Sequence, residues 1–400
     1  MKQKINHFLQ KIIQLFVLGC LAISILVAIA LVWLWPRYEY LPAEPLAISL
    51  QRFSDAPIVE VSLSDKLTAQ SEREGYININ GPSIITVPSW VENPLGKYYL
   101  YFAHHRGDSI RLAYADHIAG PWQVFEPGAL SLQASGFPAD SIPMLSLKEA
   151  VNELWDTVSI YLFRDSFLGL YQSMVSDQEL RRARGLTAPR SVKAHIASPD
   201  IVIDRENKQL LMFFHGQRDS HSQISGVAMS TDGVNFKVLD NKIAGVSLRS
   251  FEYQGDYYLL GAAGILYRSE SLLGSYKPRR KSLFGSDVRH AAVSVEGDKL
   301  TLVFSRAGDT PERLLLSTID LSSRDWNNWA PTQAVEILRA EQGWEGADLP
   351  ALKSLKGETT LRSNDLRDPD LFVDEDGQQY LLYVGGGEQA IGIVRLNKLP

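Results

Sequence analysis

Residues 368–386 read Asp-Pro-Asp-Leu-Phe-Val-Asp-Glu-Asp-Gly-Gln-Gln-Tyr-Leu-Leu-Tyr-Val-Gly-Gly. The stretch is an X-Pro dipeptide, a short apolar strand, an acidic turn closed by glycine, a second apolar strand and then small residues. Four other stretches follow the same order. Their second strands are KYYLYFAHH from Lys97, KQLLMFFHG from Lys208, DYYLLGAAG from Asp256 and DKLTLVFSR from Asp298. Across all five copies, first strands start at Gly81, Ser198, Ser247, Arg289 and Asp368, and third strands at Ile110, Ile224, Gly264, Arg313 and Ala390. Strand triplets repeated in fixed order mark a β-propeller, in which each blade is one small antiparallel sheet. The sequence therefore predicts an all-β, five-bladed β-propeller over residues 76–400.

Outside the repeat, Ile12 to Trp35 is an apolar run in which Gln14 is the one strongly polar side chain. It is long enough to cross a hydrocarbon core as a helix. Lys2, Lys4 and Lys11 before it point to a cytoplasmic amino terminus, and Trp33, Trp35 and Tyr38 suit the far interface. The run is too long for the apolar core of a signal peptide. Cys20, in Leu-Gly-Cys, is followed by more apolar residues, which is wrong for a lipidated start. The expectation is a single-pass anchor in residues 1–37, a linker in 38–75, and a propeller in the periplasm or outside the cell. Residues 131–190 break the repeat. Leu145, Leu147, Val151, Leu154, Val158, Tyr161 and Leu162 fall three and four apart, which predicts a helical insertion between blades 1 and 2. Closure of the ring calls for a segment before Gly81 to add a strand to the last blade.

A formal charge of −6 lacks the basic footprint of a nucleic-acid partner. The single cysteine excludes disulfides, and no ligand-spaced motif supports a metal, so no cofactor is expected. Eight Trp, sixteen Tyr and fifteen Phe fit sheet faces, and also fit stacking on sugar rings.

In a propeller the first strand of each blade lines the channel, so the polar residues at first-strand starts converge at one mouth. These are His195, Asp200, Arg249, Arg289, His290, Arg367, Asp368 and Asp370, together with Asn80. His104, His105, His215 and Arg306 end second strands. Adjacent strand residues point to opposite faces, so only one of His104 and His105 faces the channel. A ligand site and an ion-pair network tying the blades together are both compatible with this alignment, because buried charges need partners.

Blade 5, DPDLFVDEDGQQYLLYVGG, resembles the blade motif of the five-bladed glycosidases of glycoside hydrolase family 43 and its relatives. GKYYLYFAHH, SPDIVID and GDYYLLG carry weaker versions. The pieces HIASPD, RHAAV, WEGADLP and LRDP are similar to a family of uncharacterised bacterial proteins and imply no activity. The glycosidase resemblance implies three carboxylates, an Asp base in blade 1, a second Asp that tunes and orients, and a Glu acid. Asp368 matches the second Asp. Gly81 stands where the base is expected, and blade 3 has no acidic residue where the acid is expected. The set left to propose is Asp368 and Asp200 on the axis with Glu345 as acid, its pKa raised by Trp344. His104, His105, His195, Arg249, Arg289, His290, Arg367 and Asp370 would bind a carbohydrate substrate. The functional expectation is a membrane-anchored glycoside hydrolase acting outside the cytoplasm. The alternative is a non-catalytic propeller that binds a glycan or a protein.

Overall fold

The structure, a computed structural model, describes residues 38–140, 142–143, 191–219, 222–243 and 245–399. After strand β1 (Ile48–Arg52) comes helix α1 (Asp65–Glu74). Ser64 caps this helix by accepting from the Leu67 amide, and Gly75 ends it in the left-handed conformation at φ 77°. Blade 1 is β2 (Asn80–Thr86), β3 (Tyr98–Ala103), β4 (Ser109–Ala115) and β5 (Gln123–Ser131). A two-stranded ribbon, β6 (Ile142–Pro143) and β7 (Ser191–Val192), brackets the insertion.

Blade 2 is β8 (Ile196–Asp204), β9 (Gln209–Gln217), β10 (Gln223–Ser230) and β11 (Lys237–Ile243). Blade 3 is β12 (Arg249–Tyr253), β13 (Asp256–Leu260), β14 (Leu266–Ser269) and β15 (Lys277–Pro278). Blade 4 is β16 (Val288–Glu296), β17 (Lys299–Arg306), β18 (Leu314–Asp320) and β19 (Val335–Leu338). Blade 5 is β20 (Arg367–Val373), β21 (Gln379–Gly385) and β22 (Ala390–Lys398), with β1 as its fourth strand. The protein is thus an all-β, five-bladed propeller with very little helix among the described residues. Ile48 pairs with Lys398 and Arg52 with Val394, so a segment ahead of blade 1 closes blade 5.

No helix among the described residues is long and apolar enough to cross a membrane, so the expected single-pass topology and membrane localisation are not supported. The apolar run Ile12 to Trp35 lies outside the described residues, as do Leu145 to Leu162, where a helical insertion is expected from the sequence.

The blades pack through five apolar layers. Strand β3 shows why its sequence is apolar throughout. Tyr98, Leu100 and Phe102 face the core shared with blade 5, and Tyr99, Tyr101 and Ala103 face the core shared with blade 2. A strand with both faces covered has no solvent side on which to alternate.

The axis is built by bulges. The pairing of β2, β8, β16 and β20 with their neighbours shifts register at the strand start. In three of these the shift contains an X-Pro pair with X at positive φ, namely Gly81 (57°), Ser198 (50°) and Asp368 (48°). Proline supplies no N–H to the ladder, and a bulge re-aims the neighbouring side chains.

Two residues beyond each X, a side chain reaches the backbone of the next blade. Asp370 Oδ2 accepts from Ile84 N at 3.0 Å, Ser83 Oγ from Ile201 N at 3.1 Å, and Asp200 Oδ2 from Ser250 N at 2.9 Å. The first strands are the inner edges of their sheets, and these contacts satisfy amides that would otherwise face the channel without partners.

If β1 closes the ring, a chain lacking residues up to Arg52 leaves β22 as an open edge. Hydrogen exchange should then show the amides of β22 that pair with β1 losing protection, while the pairing of β20 with β21 stays protected.

Candidate functional site

The positive-φ residues of the bulges mark the mouth of the channel. Asp368, from blade 5, is hydrogen-bonded through Oδ1 to His290 Nδ1 of blade 4. His290 Nε2 lies 3.3 Å from Ser198 Oγ of blade 2. Asp368 is only 1% exposed, and Ser198 only 3%. Burial opposes the charge on Asp368, yet the contact with His290 and the nearby His105 and Arg367 hold its carboxyl well below the usual range. Its Oδ2, together with Asn80 Oδ1 and His215 Nδ1, is buried without a hydrogen-bond partner among the described residues. His215 is kept neutral by burial and feels His195, His290, His105 and Asp368, so it belongs to the same cluster.

Around this mouth the expected ligand-binding cations are engaged within the protein. Arg249 donates to Pro199 O at 2.6 Å and Pro82 O at 2.8 Å, and lies 3.5 Å from Asp200. It therefore ties three blades together across the axis. Arg367 is completely enclosed by Glu312 (3.0 Å), Glu388 (3.1 Å) and Asp365 (3.2 Å). Arg289 pairs with Glu312 at 2.9 Å and donates to Gly357 O at 3.0 Å. Each is the compensated arrangement that a buried charge requires.

The histidines divide as strand geometry demands. His105 turns toward the axis, where Nδ1 lies 2.8 Å from Glu388 Oε2. Burial disfavours its charge, but Glu388 outweighs burial and raises its pKa. His104 points the other way, toward Glu74 at 2.8 Å. That contact has ion-pair distance, but burial pushes the His104 pKa down to about 2. The imidazole is neutral, since Nδ1 accepts from the Arg106 amide and the proton is therefore on Nε2. His195 sits behind His215, donating from Nδ1 to Lys193 O at 2.9 Å and meeting Gln223 through Nε2 at 3.1 Å.

The three carboxylates expected to act together are not brought together by any contact. Asp368 is at the mouth. Asp200 lies two residues past its bulge, bound to the Ser250 amide and to Ser250 Oγ at 2.6 Å. Glu345 is completely buried between blade 5 and the segment that follows β19. Its oxygens take Arg52 Nη2 at 3.0 Å, Tyr383 Oη at 2.5 Å, Glu341 N at 2.7 Å and Gln342 N at 3.0 Å. A carboxylate with four such partners has little capacity left to protonate a substrate.

Ser198 and Glu388 were not singled out from sequence. Aligning the three X-Pro bulges, Gly81-Pro82, Ser198-Pro199 and Asp368-Pro369, would have placed Ser198 at the position of Asp368. Glu388 follows three glycines in the turn between β21 and β22, an acidic residue where the chain needs none for the turn itself.

With the geometry described, the chain can be set beside known proteins. No family model matches it. Over 347 residues it is 32% identical to "Uncharacterized protein R118" of Acanthamoeba polyphaga mimivirus, an alignment that takes in 80% of this chain and 84% of that protein. The chain belongs to the family of that viral protein. The relative found is viral and not bacterial, which corrects the bacterial resemblance drawn from the sequence pieces.

Solved structures with a similar fold include a thermostable family-43 glycoside hydrolase, with a TM-score of 0.45 and 12% identity over 80% of this chain and 88% of that one. A second is a family-43 β-xylosidase/α-arabinofuranosidase from a compost microbial metagenome in complex with xylotriose. It has a TM-score of 0.47 and 13% identity over 87% and 95% of the two chains. A third, from the family-130 mannoside phosphorylases and glycoside hydrolases, has a TM-score of 0.49 and 10% identity over 90% and 96%. None of these lends this chain a residue role.

Below the mouth, burial pushes the Asp370 carboxyl from its ordinary 3.8 up to about 7, with Asp200 adding to the effect. A carboxyl raised on folding stabilises the protein at low pH and loses that contribution as pH rises through the folded value. Relative to the Asp370→Asn variant, the native protein should therefore lose stability as pH rises from about 4 to about 7. Thermal unfolding of both proteins across that range checks this, and parallel curves would exclude it.

Proposed function

We propose that the axial mouth binds a carbohydrate and that the protein acts on it as a glycosidase-like hydrolase, with Asp368 and His290 as the proton-handling pair. The observation that carries this reading is the hydrogen bond of Asp368 Oδ1 to His290, with Oδ2 buried and without a hydrogen-bond partner among the described residues. An ionised carboxylate with a free oxygen accepts from hydroxyl groups, and the neighbouring Asn80 amide and His215 imidazole add polar atoms without net charge. Arg249, Arg289 and Arg367 are engaged inside the protein, so the pocket does not offer the free cations that a phosphate or carboxylate ligand would need. A neutral ligand rich in hydroxyls fits what is left.

Asp368 and His290 share one hydrogen bond and so act as a single base, with the carboxylate fixing the ring so that Nε2 can take a proton. Asp200 and Glu345 support the fold in this reading and take no part in bond breaking. A second reading, glycan recognition without turnover, is favoured by the commitment of Asp200, Asp370 and Glu345 to backbone and arginine contacts.

The test is a panel of oligosaccharides and aryl glycosides offered to the native protein and to Asp368→Asn, with binding measured by calorimetry. The expected outcome is turnover that falls by about 10²- to 10⁴-fold in the variant while binding survives. Binding without turnover in the native protein would support the second reading, and no binding at all would overturn both.

A further inference from the structure

The contact that the proposed base makes on its other side is with a hydroxyl. His290 presents Nδ1 to Asp368 Oδ1 and Nε2 to Ser198 Oγ, the latter at 3.3 Å. The three side chains come from blades 4, 5 and 2, and meet where the bulges place them. We infer that Ser198, His290 and Asp368 form a nucleophile, base and orienting carboxylate for acyl transfer, and that the bond cleaved is an ester, an O-acyl group carried by the ligand of the mouth. That the acyl group sits on a carbohydrate rests on the reading given above. The nucleophilic role of Ser198 does not.

The geometry assigns each role. Asp368 Oδ1 accepts a hydrogen bond from Nδ1–H, which leaves the lone pair of Nε2 facing the Ser198 hydroxyl. A distance of 3.3 Å is long for a fully formed bond, but nucleophile–base contacts are commonly loose before substrate binds. Ser198 holds φ at 50° ahead of Pro199, which fixes its side chain at the bulge. Gly81, the equivalent bulge residue of blade 1, has no side chain. A Cβ there would lie 3.2 Å from Ser198 Cα and 3.6 Å from Ser198 Oγ. The glycine that removes the expected blade 1 carboxylate therefore also leaves room beside the serine hydroxyl.

The step balances without any co-reactant beyond water. Ser198 Oγ gives its proton to His290 Nε2 and bonds to the acyl carbon. The ester C–O bond breaks, and the departing alcohol takes the proton from Nε2. Water then gives a proton to Nε2 and attacks the acyl-serine, and the carboxylic acid leaves as Ser198 regains its hydrogen. Ester and water become alcohol and acid.

The experiment treats the full chain with a small fluorophosphonate and maps the adduct by peptide mass spectrometry. In parallel, the release of acetate from acetylated oligosaccharides and from an aryl acetate is followed. Ser198→Gly is the informative variant, since glycine accepts the positive φ, and His290→Gln removes the base. Unfolding temperatures establish that each variant is folded.

The expected result is an adduct on Ser198, absent in Ser198→Gly and formed at least about a hundredfold more slowly in His290→Gln, with ester turnover falling in step. A folded native protein that gives no Ser198 adduct and no ester turnover overturns the proposal, whatever the sugar-binding result. An adduct on Ser198 in a protein that binds no carbohydrate upholds the nucleophile and overturns the carbohydrate reading of the mouth.

Discussion

The ring rests on a donor–acceptor relation repeated around its axis. Each first strand is the inner edge of its sheet, and its amides on that side need acceptors from outside the sheet. Side chains two residues beyond the bulges answer this, with Ser83, Asp200 and Asp370 accepting from Ile201, Ser250 and Ile84 of the following blade. The bulge is what allows it, because an unbroken ladder would hold the same residue in its own pleat. Arg249 completes the arrangement by donating to the carbonyls of Pro82 and Pro199, next to the two prolines' own interruptions of the ladder. Sequence, local backbone and inter-blade cohesion are thus one feature seen at three scales.

That requirement decides which polar residues are left for chemistry. Charges placed at the axis to join blades must be neutralised there, since an unpaired buried charge is costly. The arginines and most carboxylates of the channel meet that condition with one another. Asp368 differs because its bulge position, ahead of the residue that joins the blades, aims it into the mouth, where its partner is an imidazole rather than a backbone amide. The same bulge position in blade 2 holds Ser198 and in blade 1 holds Gly81, so one backbone device presents a carboxylate, a hydroxyl and a gap.

Much of the fold was legible because the repeat is local. An X-Pro start, an apolar run, an acidic glycine turn and a second apolar run can each be recognised within twenty residues of chain. The strand β1 was called for by closure but could not be placed, since Ile48–Arg52 alternates half-buried and exposed residues over only five positions and its partner lies more than three hundred residues away. Helix α1 was hidden because it is polar, with only Leu67 buried.

Strand starts converge in any propeller, so the neighbourhood in which Asp368, His290 and His105 meet could be read from the repeat. Individual roles were harder to read. Glu345 looked like a turn residue available to a ligand because its partner Arg52 stands 293 positions away in sequence. Ser198 was read only as the start of a first strand, and its contact with His290 comes from a residue 92 positions away in sequence.

The closure of blade 5 by β1 also bears on how the molecule is made. Strand β1 finds its partner in β22, more than three hundred residues later, so the ring has no means of shutting until β22 has been made. Until then blades 1 to 4 stand as an open arc, and residues 48–52 must wait unpaired. Contacts between such distant segments are the slowest for a chain to find, and an unsatisfied strand edge is open to pairing with the wrong chain. Assembly of this protein therefore has a late, intramolecular closing step, and crowded nascent chains that exchange their first strands would be its natural misassembly.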